Sequence, residues 1–194
     1  MGQARQTLYT ELEYIESTGT QYVDTKYICS NDTKIEIDFT VVNFDTRLNA
    51  LFGIIDTSVG ANSYFYSWIN NKNLQLRFGK VGKTMPTKLE IGQRYVLIQG
   101  KQKASVNDVE LGGWSNALTK ATNSIFLMAL RNNTIASYQF KGRIYGFKIY
   151  ENDILVMNLI PVLDNNKIPC FYDKISNEFL YNKGTGDFSY AYKQ

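Results

Sequence analysis

The sequence predicts an all-β protein, an antiparallel two-sheet β-sandwich, and three observations predict it. Apolar and polar residues alternate at period two in segment after segment, while the longer period of an amphipathic helix is nearly absent. The alternating segments are short, about a dozen of them at spacings of about 8–12 residues. Between them lie Asn-, Asp- and Ser-rich groups of the kind that close hairpins, without the crossover helices that a parallel sheet needs. The chain has 194 residues, 44% of them hydrophobic, with 14 Tyr and 11 Phe, which suits one domain with a sizeable core.

Residues 1–10 come first. They are polar, carry no periodic pattern and precede the first apolar cluster of Leu12, Tyr14 and Ile15. They read as an N-terminal arm, either frayed or docked on a neighbouring subunit through Gln3, Arg5, Leu8 and Tyr9. Residues 11–194 form the domain, since no linker or internal repeat divides them. The first strand lies at residues 21–27. In residues 34–41, Ile35, Ile37, Phe39 and Val41 alternate with Lys34, Glu36, Asp38 and Thr40, the pattern of a central strand with one buried side. Strands follow at residues 48–55, 64–69, 74–78, 94–99, 104–111 and 124–130. The last four fall at residues 138–150, 154–163, 168–172 and 178–181. Groups such as Ser30-Asn31-Asp32, Asn107-Asp108, Asn132-Asn133 and Ser176-Asn177 supply turns. Gly142 and Gly146 fall inside a strand pattern, where glycine marks a bulge or a close backbone approach.

One hairpin can be registered from sequence. A turn centred on Asn71-Lys72 pairs Ile69 with Leu74, Ser67 with Leu76 and Phe65 with Phe78. Residues directly opposite share a face, so Phe65, Ile69, Leu74, Leu76 and Phe78 make an apolar side that belongs to the core. The other side carries Tyr64, Tyr66 and Trp68 facing Gln75 and Arg77, and this is the candidate glycan- or partner-facing surface. Aromatic rings with polar tips beside an amide and a guanidinium suit sugar binding. The same residues suit a subunit contact, and burial under a long loop is the third reading.

Composition removes much chemistry. The chain has no histidine, so Ser-His-Asp triads, Cys-His dyads and imidazole metal ligands are excluded. Its two cysteines, Cys29 and Cys170, make neither a four-cysteine zinc site nor a disulfide framework and read as buried thiols. No catalytic residue and no protein metal site is expected. The N-terminus has no apolar signal-peptide core, and no apolar run approaches the ~20 residues of a membrane span. A soluble protein made in the cytosol is therefore expected, with no membrane partner. The net charge of +3 and the scattered lysines, densest at Lys72, Lys80, Lys83 and Lys88, argue against a nucleic-acid partner. There is no Walker-type or dinucleotide-binding glycine loop.

Two stretches carry a resemblance. The first runs Leu12-Glu13-Tyr14-Ile15-Glu16-Ser17-Thr18-Gly19-Thr20-Gln21-Tyr22-Val23-Asp24-Thr25. The second runs Phe140-Lys141-Gly142-Arg143-Ile144-Tyr145-Gly146-Phe147-Lys148-Ile149-Tyr150, passes through Ile154-Leu155-Val156 and Cys170-Phe171-Tyr172-Asp173-Lys174, and closes with Asn182-Lys183-Gly184-Thr185-Gly186-Asp187-Phe188. Together they resemble the concanavalin A-like (laminin-G-like) jelly-roll module of bacteriophage virion proteins and gut-bacterial surface proteins. In that module the opening motif commonly runs Asp-Thr-Gly, whereas Lys26 follows Asp24-Thr25 here.

The resemblance implies a concanavalin A-like jelly roll and a non-enzymatic bacteriophage virion-surface protein, a capsid decoration or head-fibre component with weak glycan adhesion. Its partners are then other virion proteins and further copies of itself in a homo-oligomer, and its location the virion. The start at Met1 and the absence of a leader, anchor or fibrous shaft fit that expectation. A carbohydrate-binding module of a tail fibre or bacterial surface protein is the alternative. A degraded glucanase is the second alternative, because Glu36-Ile37-Asp38 supplies the front of the Glu-x-Asp-x-(x)-Glu signature of related glucanases. The last carboxylate is missing, for Thr40, Val41 and Val42 follow. Modules of this kind often hold calcium in a rim loop, and Asp164-Asn165-Asn166, Asn31-Asp32 and Glu151-Asn152-Asp153 have suitable oxygens.

Overall fold

A computed structural model of the chain describes residues 9–44 and 48–194. Among them the period-two alternation becomes eighteen strands. The chain begins with β1 (Tyr9–Thr18), β2 (Val23–Asp24), β3 (Thr33–Val41) and β4 (Asn49–Ile55). Two single-turn 3-10 helices, Thr57–Val59 and Ala61–Ser63, lead into β5 (Phe65–Asn70), β6 (Asn73–Phe78) and β7 (Val81–Thr84). Next come β8 (Arg94–Gly100), β9 (Ala104–Val106), β10 (Val109–Glu110), β11 (Phe126–Leu127), β12 (Leu130–Asn132) and β13 (Ile135–Ser137). The chain ends with β14 (Lys141–Glu151), β15 (Ile154–Asp164), β16 (Pro169–Asp173), β17 (Glu178–Leu180) and β18 (Ser189–Tyr192).

Two sheets result. The larger has ten strands in the order β10-β9-β8-β3-β14-β1-β15-β16-β17, with β18 beside β1. The smaller has eight, in the order β13-β12-β4-β5-β6-β7, with β11 pairing both β4 and β2. The strand pairings are antiparallel except that β12 runs parallel to β4, and an isolated parallel bridge joins Ala50 to Gln139. The strand expected to be central is central: β3 lies between β8 and β14, and Ile35, Ile37 and Phe39 are fully buried. Phenyl rings fill the space between the sheets. Phe52 of the smaller sheet meets Phe147 of the larger at 6.0 Å and Phe65 beside it at 5.8 Å, both edge-on. Each such ring, fully buried, contributes on the order of 1.5–3 kcal/mol.

Where the elements differ from the sequence reading, a backbone irregularity is the reason. β1 was not expected as a strand because its inward residues are Leu12, Ile15 and Ser17, and a register shift between Leu12 and Tyr14 breaks the alternation. It also corrects the arm. Tyr9 and Thr10 pair with Asp164 and Leu163, and the Tyr9 ring lies 4.4 Å from that of Tyr172, so Tyr9 is part of the sandwich. Gln3, Arg5 and Leu8 lie outside the described residues. The expected strand at residues 104–111 folds into a hairpin, because Asn107 and Asp108 take φ values of 45° and 66°. The one at residues 124–130 is interrupted by Met128 at φ 64°. Gly146 sits at a bulge in β14, as expected of a strand glycine. Lys26 takes φ 59°, the left-handed conformation that glycine adopts most easily.

Candidate functional site

The hairpin of β5 and β6 has the register read from sequence, Phe65 opposite Phe78, Ser67 opposite Leu76 and Ile69 opposite Leu74. Asn71 and Lys72 at its tip both have positive φ, 46° and 69°, which gives the turn the twist of its strands. Phe65, Ile69, Leu74, Leu76 and Phe78 are buried in the core, and Tyr64, Tyr66, Trp68, Gln75 and Arg77 are thereby set on the opposite, outer face.

Two cross-strand rows build that face. One runs Gly53–Tyr66–Arg77–Gly82 and the other Ala50–Trp68–Gln75–Thr84, across β4, β5, β6 and β7. Each aromatic residue thus has a small residue opposite it on β4. The fit at Gly53 is tight: its φ is 153°, and an added Cβ would lie 2.2 Å from the Cβ of Tyr66. A bulge between Ala50 and Phe52 turns Leu51 and Phe52 into the core and leaves Ala50 outside. The Tyr66 and Trp68 rings lie 4.4 Å apart, and with Ala50, Leu130, Ile55 and Tyr64 they form a small apolar cluster.

The cluster is graded in exposure. Tyr66 is buried at 7% exposure, among the aromatic and aliphatic residues of this cluster. Trp68, Tyr64, Gln75 and Arg77 are half-buried. Burial pushes the Tyr66 phenol pKa upward, against the opposing pull of the Arg77 charge, so the hydroxyl stays protonated at neutral pH. Beside the rings a hollow of about 230 Å³ is lined by Tyr66, Trp68, Gln75, Arg77, Gly82 and Thr84 among others.

Polar groups in this hollow are partly engaged. The Trp68 indole N–H donates to Gln75 Oε1 at 2.7 Å, which fixes the ring, and the Gln75 amide N–H groups have no partner among the described residues. Arg77 donates through Nε to the Gly79 carbonyl at 3.1 Å, which holds the guanidinium in place. Its two terminal nitrogens have no partner among the described residues. Lys83, opposite Leu76, also lines the hollow, and its ammonium lies 5.4 Å from the Trp114 ring centre.

Gln99 supports this face from beneath. It is fully buried on β8 of the other sheet, and its Nε2 donates to the carbonyls of Tyr66 at 3.2 Å and Arg77 at 2.9 Å. Its own carbonyl oxygen and the nearby hydroxyl of Ser67 have no partner, so this amide is held in the core at a cost.

Glu36 and Asp38, the carboxylates of the glucanase pattern, lie on the outer face of the large sheet. Lys148 Nζ reaches Glu36 at 2.7 Å, and Arg94 grips Asp38 with two bonds of 2.8 and 2.7 Å. Both are salt-bridged, and no third carboxylate completes the pattern. Two carboxylates of the candidate calcium loops, Asp164 and Glu151, are engaged by hydrogen donors. Asp164 accepts from the backbone N–H groups of Asn166 and Ile168 and from the Tyr181 hydroxyl, and Glu151 from the hydroxyls of Tyr27, Ser30 and Thr33. Among the described residues no group of three or more His, Cys, Asp or Glu is placed to hold a metal ion. Cys29 and Cys170 are both free and buried, and burial pushes each thiol up to about 12.

Two further residues complete the face. Tyr138 meets Trp68 edge-to-face at 6.0 Å, yet φ 56° at a tyrosine inside an expected strand leaves no trace in the pattern. Thr84 lies on β7, a four-residue edge strand without alternation.

A scan against protein-family models and a search of curated protein sequences find no match. The fold, by contrast, has relatives among solved structures. The CBM40 of the Ruminococcus gnavus IT-sialidase superposes with TM-score 0.56 at 14% identity, over 75% of this chain and 92% of that one. The same module bound to α2,3-sialyllactose gives TM-score 0.54 at 14% identity, over 74% and 91%. A candidate carbohydrate-binding protein from Bacteroides ovatus gives TM-score 0.63 at 10% identity, over 93% of this chain, and the chain spans 60% of that protein. The fold is a lectin-like β-sandwich. At these identities the likeness speaks for the fold alone. It includes carbohydrate-binding modules and lends no support to the expectation of a bacteriophage virion protein with capsid or fibre partners.

Proposed function

We propose that the chain is a non-catalytic glycan-binding module whose ligand seats on the outer face of the small sheet, against Trp68. The observation that carries this is the combination at one place of a half-buried indole, a hollow beside it and donors on Gln75 and Arg77 that have no partner among the described residues. A pyranose has one face of C–H groups and a rim of hydroxyls. The ring of Trp68 matches the first, while the Gln75 amide and the Arg77 guanidinium match the second. Because the indole and the guanidinium are already held by Gln75 and Gly79, little side-chain freedom is lost on binding. Likeness of fold to a module solved with α2,3-sialyllactose supports the reading, and an arginine with no carboxylate partner among the described residues suits the carboxylate of such a sugar.

The test is a glycan array followed by titration calorimetry with α2,3-sialyllactose, lactose and laminari-oligosaccharides. Wild-type protein is expected to bind one of these sugars, and Trp68→Ala to lose about tenfold or more in affinity, corresponding to roughly 1.4 kcal/mol. Sedimentation of both proteins is measured alongside. Should Trp68→Ala leave glycan retention intact, or convert an oligomer to a monomer without changing it, the face is a subunit contact and the reading falls.

A further inference from the structure

We propose that the ligand is an oligosaccharide, lying across the strands from the Arg77 hollow over Trp68 and into a second hollow at Tyr138. This extends the glycan-binding reading and rests on it. The second hollow, about 280 Å³, is lined by Asn49, Ser137, Tyr138, Gln139 and Lys141, with Gly19 and Leu48. Ligand pockets begin at about 300 Å³, so neither hollow alone reaches that size, whereas a site spanning both exceeds it.

Tyr138 joins the two. Its ring stands at 84° to that of Trp68 with centres 6.0 Å apart, and it also lines the second hollow. The junction is rigid at the backbone, for the Ala50 N–H donates to the Tyr138 carbonyl at 2.7 Å and Ala50 is the cross-strand partner of Trp68. Tyr138 nevertheless remains 43% exposed in a left-handed conformation at φ 56°, an arrangement that carries a strain of order 1–3 kcal/mol for a bulky side chain. An exposed ring kept at that cost, edge-on to a binding indole, is placed to meet a second sugar. Its surroundings include the Ser137 hydroxyl and the Gln139 amide, the chemistry that meets sugar hydroxyls.

Two series of sugars test this with the full chain: galactose, lactose and α2,3-sialyllactose, and laminari-oligosaccharides of increasing length. Calorimetry or NMR titration on wild type is expected to show affinity rising about tenfold from one sugar to three in the series that binds. Tyr138→Asn removes the ring while tolerating the left-handed backbone, and Tyr138→Gly serves the same end if the first variant melts early. Either variant is expected to abolish the gain with length. Wild-type affinities that are flat with length overturn this proposal and leave the Trp68 site standing. A length gain that survives in both variants also overturns it. If wild type binds no sugar in either series, this proposal and the reading beneath it fail together.

Discussion

On the outer face of the ten-stranded sheet, Lys148 meets Glu36 at 2.7 Å, Arg94 grips Asp38 and Arg143 meets Glu16 at 2.7 Å. The aromatic rings there are covered as well. The Arg94 guanidinium stacks 3.8 Å from the centre of Tyr145, and Arg143 lies 4.5 Å from that of Tyr14. Among the described residues of the eight-stranded sheet the rings of Tyr66 and Trp68 carry no cation, and no described carboxylate pairs with Arg77. Both faces come from the same alternation and both display rings and guanidinium groups. The difference is pairing: one face satisfies its charges and rings internally, while the other leaves an indole and a guanidinium for something else to meet.

The most severe way to break the comparison is at Gly53. Gly53→Ala places a methyl against the Tyr66 Cβ and forces a side chain onto a φ of 153°. A loss of about 3 kcal/mol is expected from urea denaturation, together with loss of sugar binding. A near-neutral result would mean that Tyr66 does not need the gap in β4.

Gln99→Leu has a smaller expected effect and a sharper one. Two hydrogen bonds to the carbonyls under Tyr66 and Arg77 disappear, but so does the unpartnered buried oxygen of the amide. The two changes offset, and stability is expected to stay within about 1 kcal/mol of wild type. Affinity for the best glycan is expected to fall several-fold, because the strand pair that carries the site loses its tie to the opposite sheet. Unchanged affinity would make Gln99 a core residue and nothing more.

The smallest effect is expected on the paired face. Glu36→Gln removes the partner of Lys148 from a partly exposed ion pair, and thermal denaturation is expected to register about 1 kcal/mol or less. Sugar binding is expected to stay at the wild-type level. A large loss of binding in this variant would move the site to the other sheet and undo the comparison.

Legibility followed locality. The β5–β6 register was readable because two positive-φ turn residues and the alternating strands around them lie within a few positions of one another. So were Tyr64, Tyr66, Trp68, Gln75 and Arg77 as one outward set. β1 was not, since its bulge breaks the alternation, and neither was Tyr138, whose backbone conformation no sequence pattern announces. Glu36 and Asp38 were readable as an outward pair of carboxylates, but their salt bridges were not, for Lys148 and Arg94 come from strands 112 and 56 residues away.

By itself the sequence determined the fold class and the side of the sheet on which most residues lie, because alternation is a property of the extended backbone one residue at a time. Tertiary structure alone decided which outer face is closed and which is open. That depends on what arrives opposite each side chain: a lysine opposite Glu36, but a glycine opposite Tyr66 and an alanine opposite Trp68. Those neighbours are set by pairing between distant strands, and the bulge at Ala50 shifts the β4 pairing by one residue, so no local pattern encodes them.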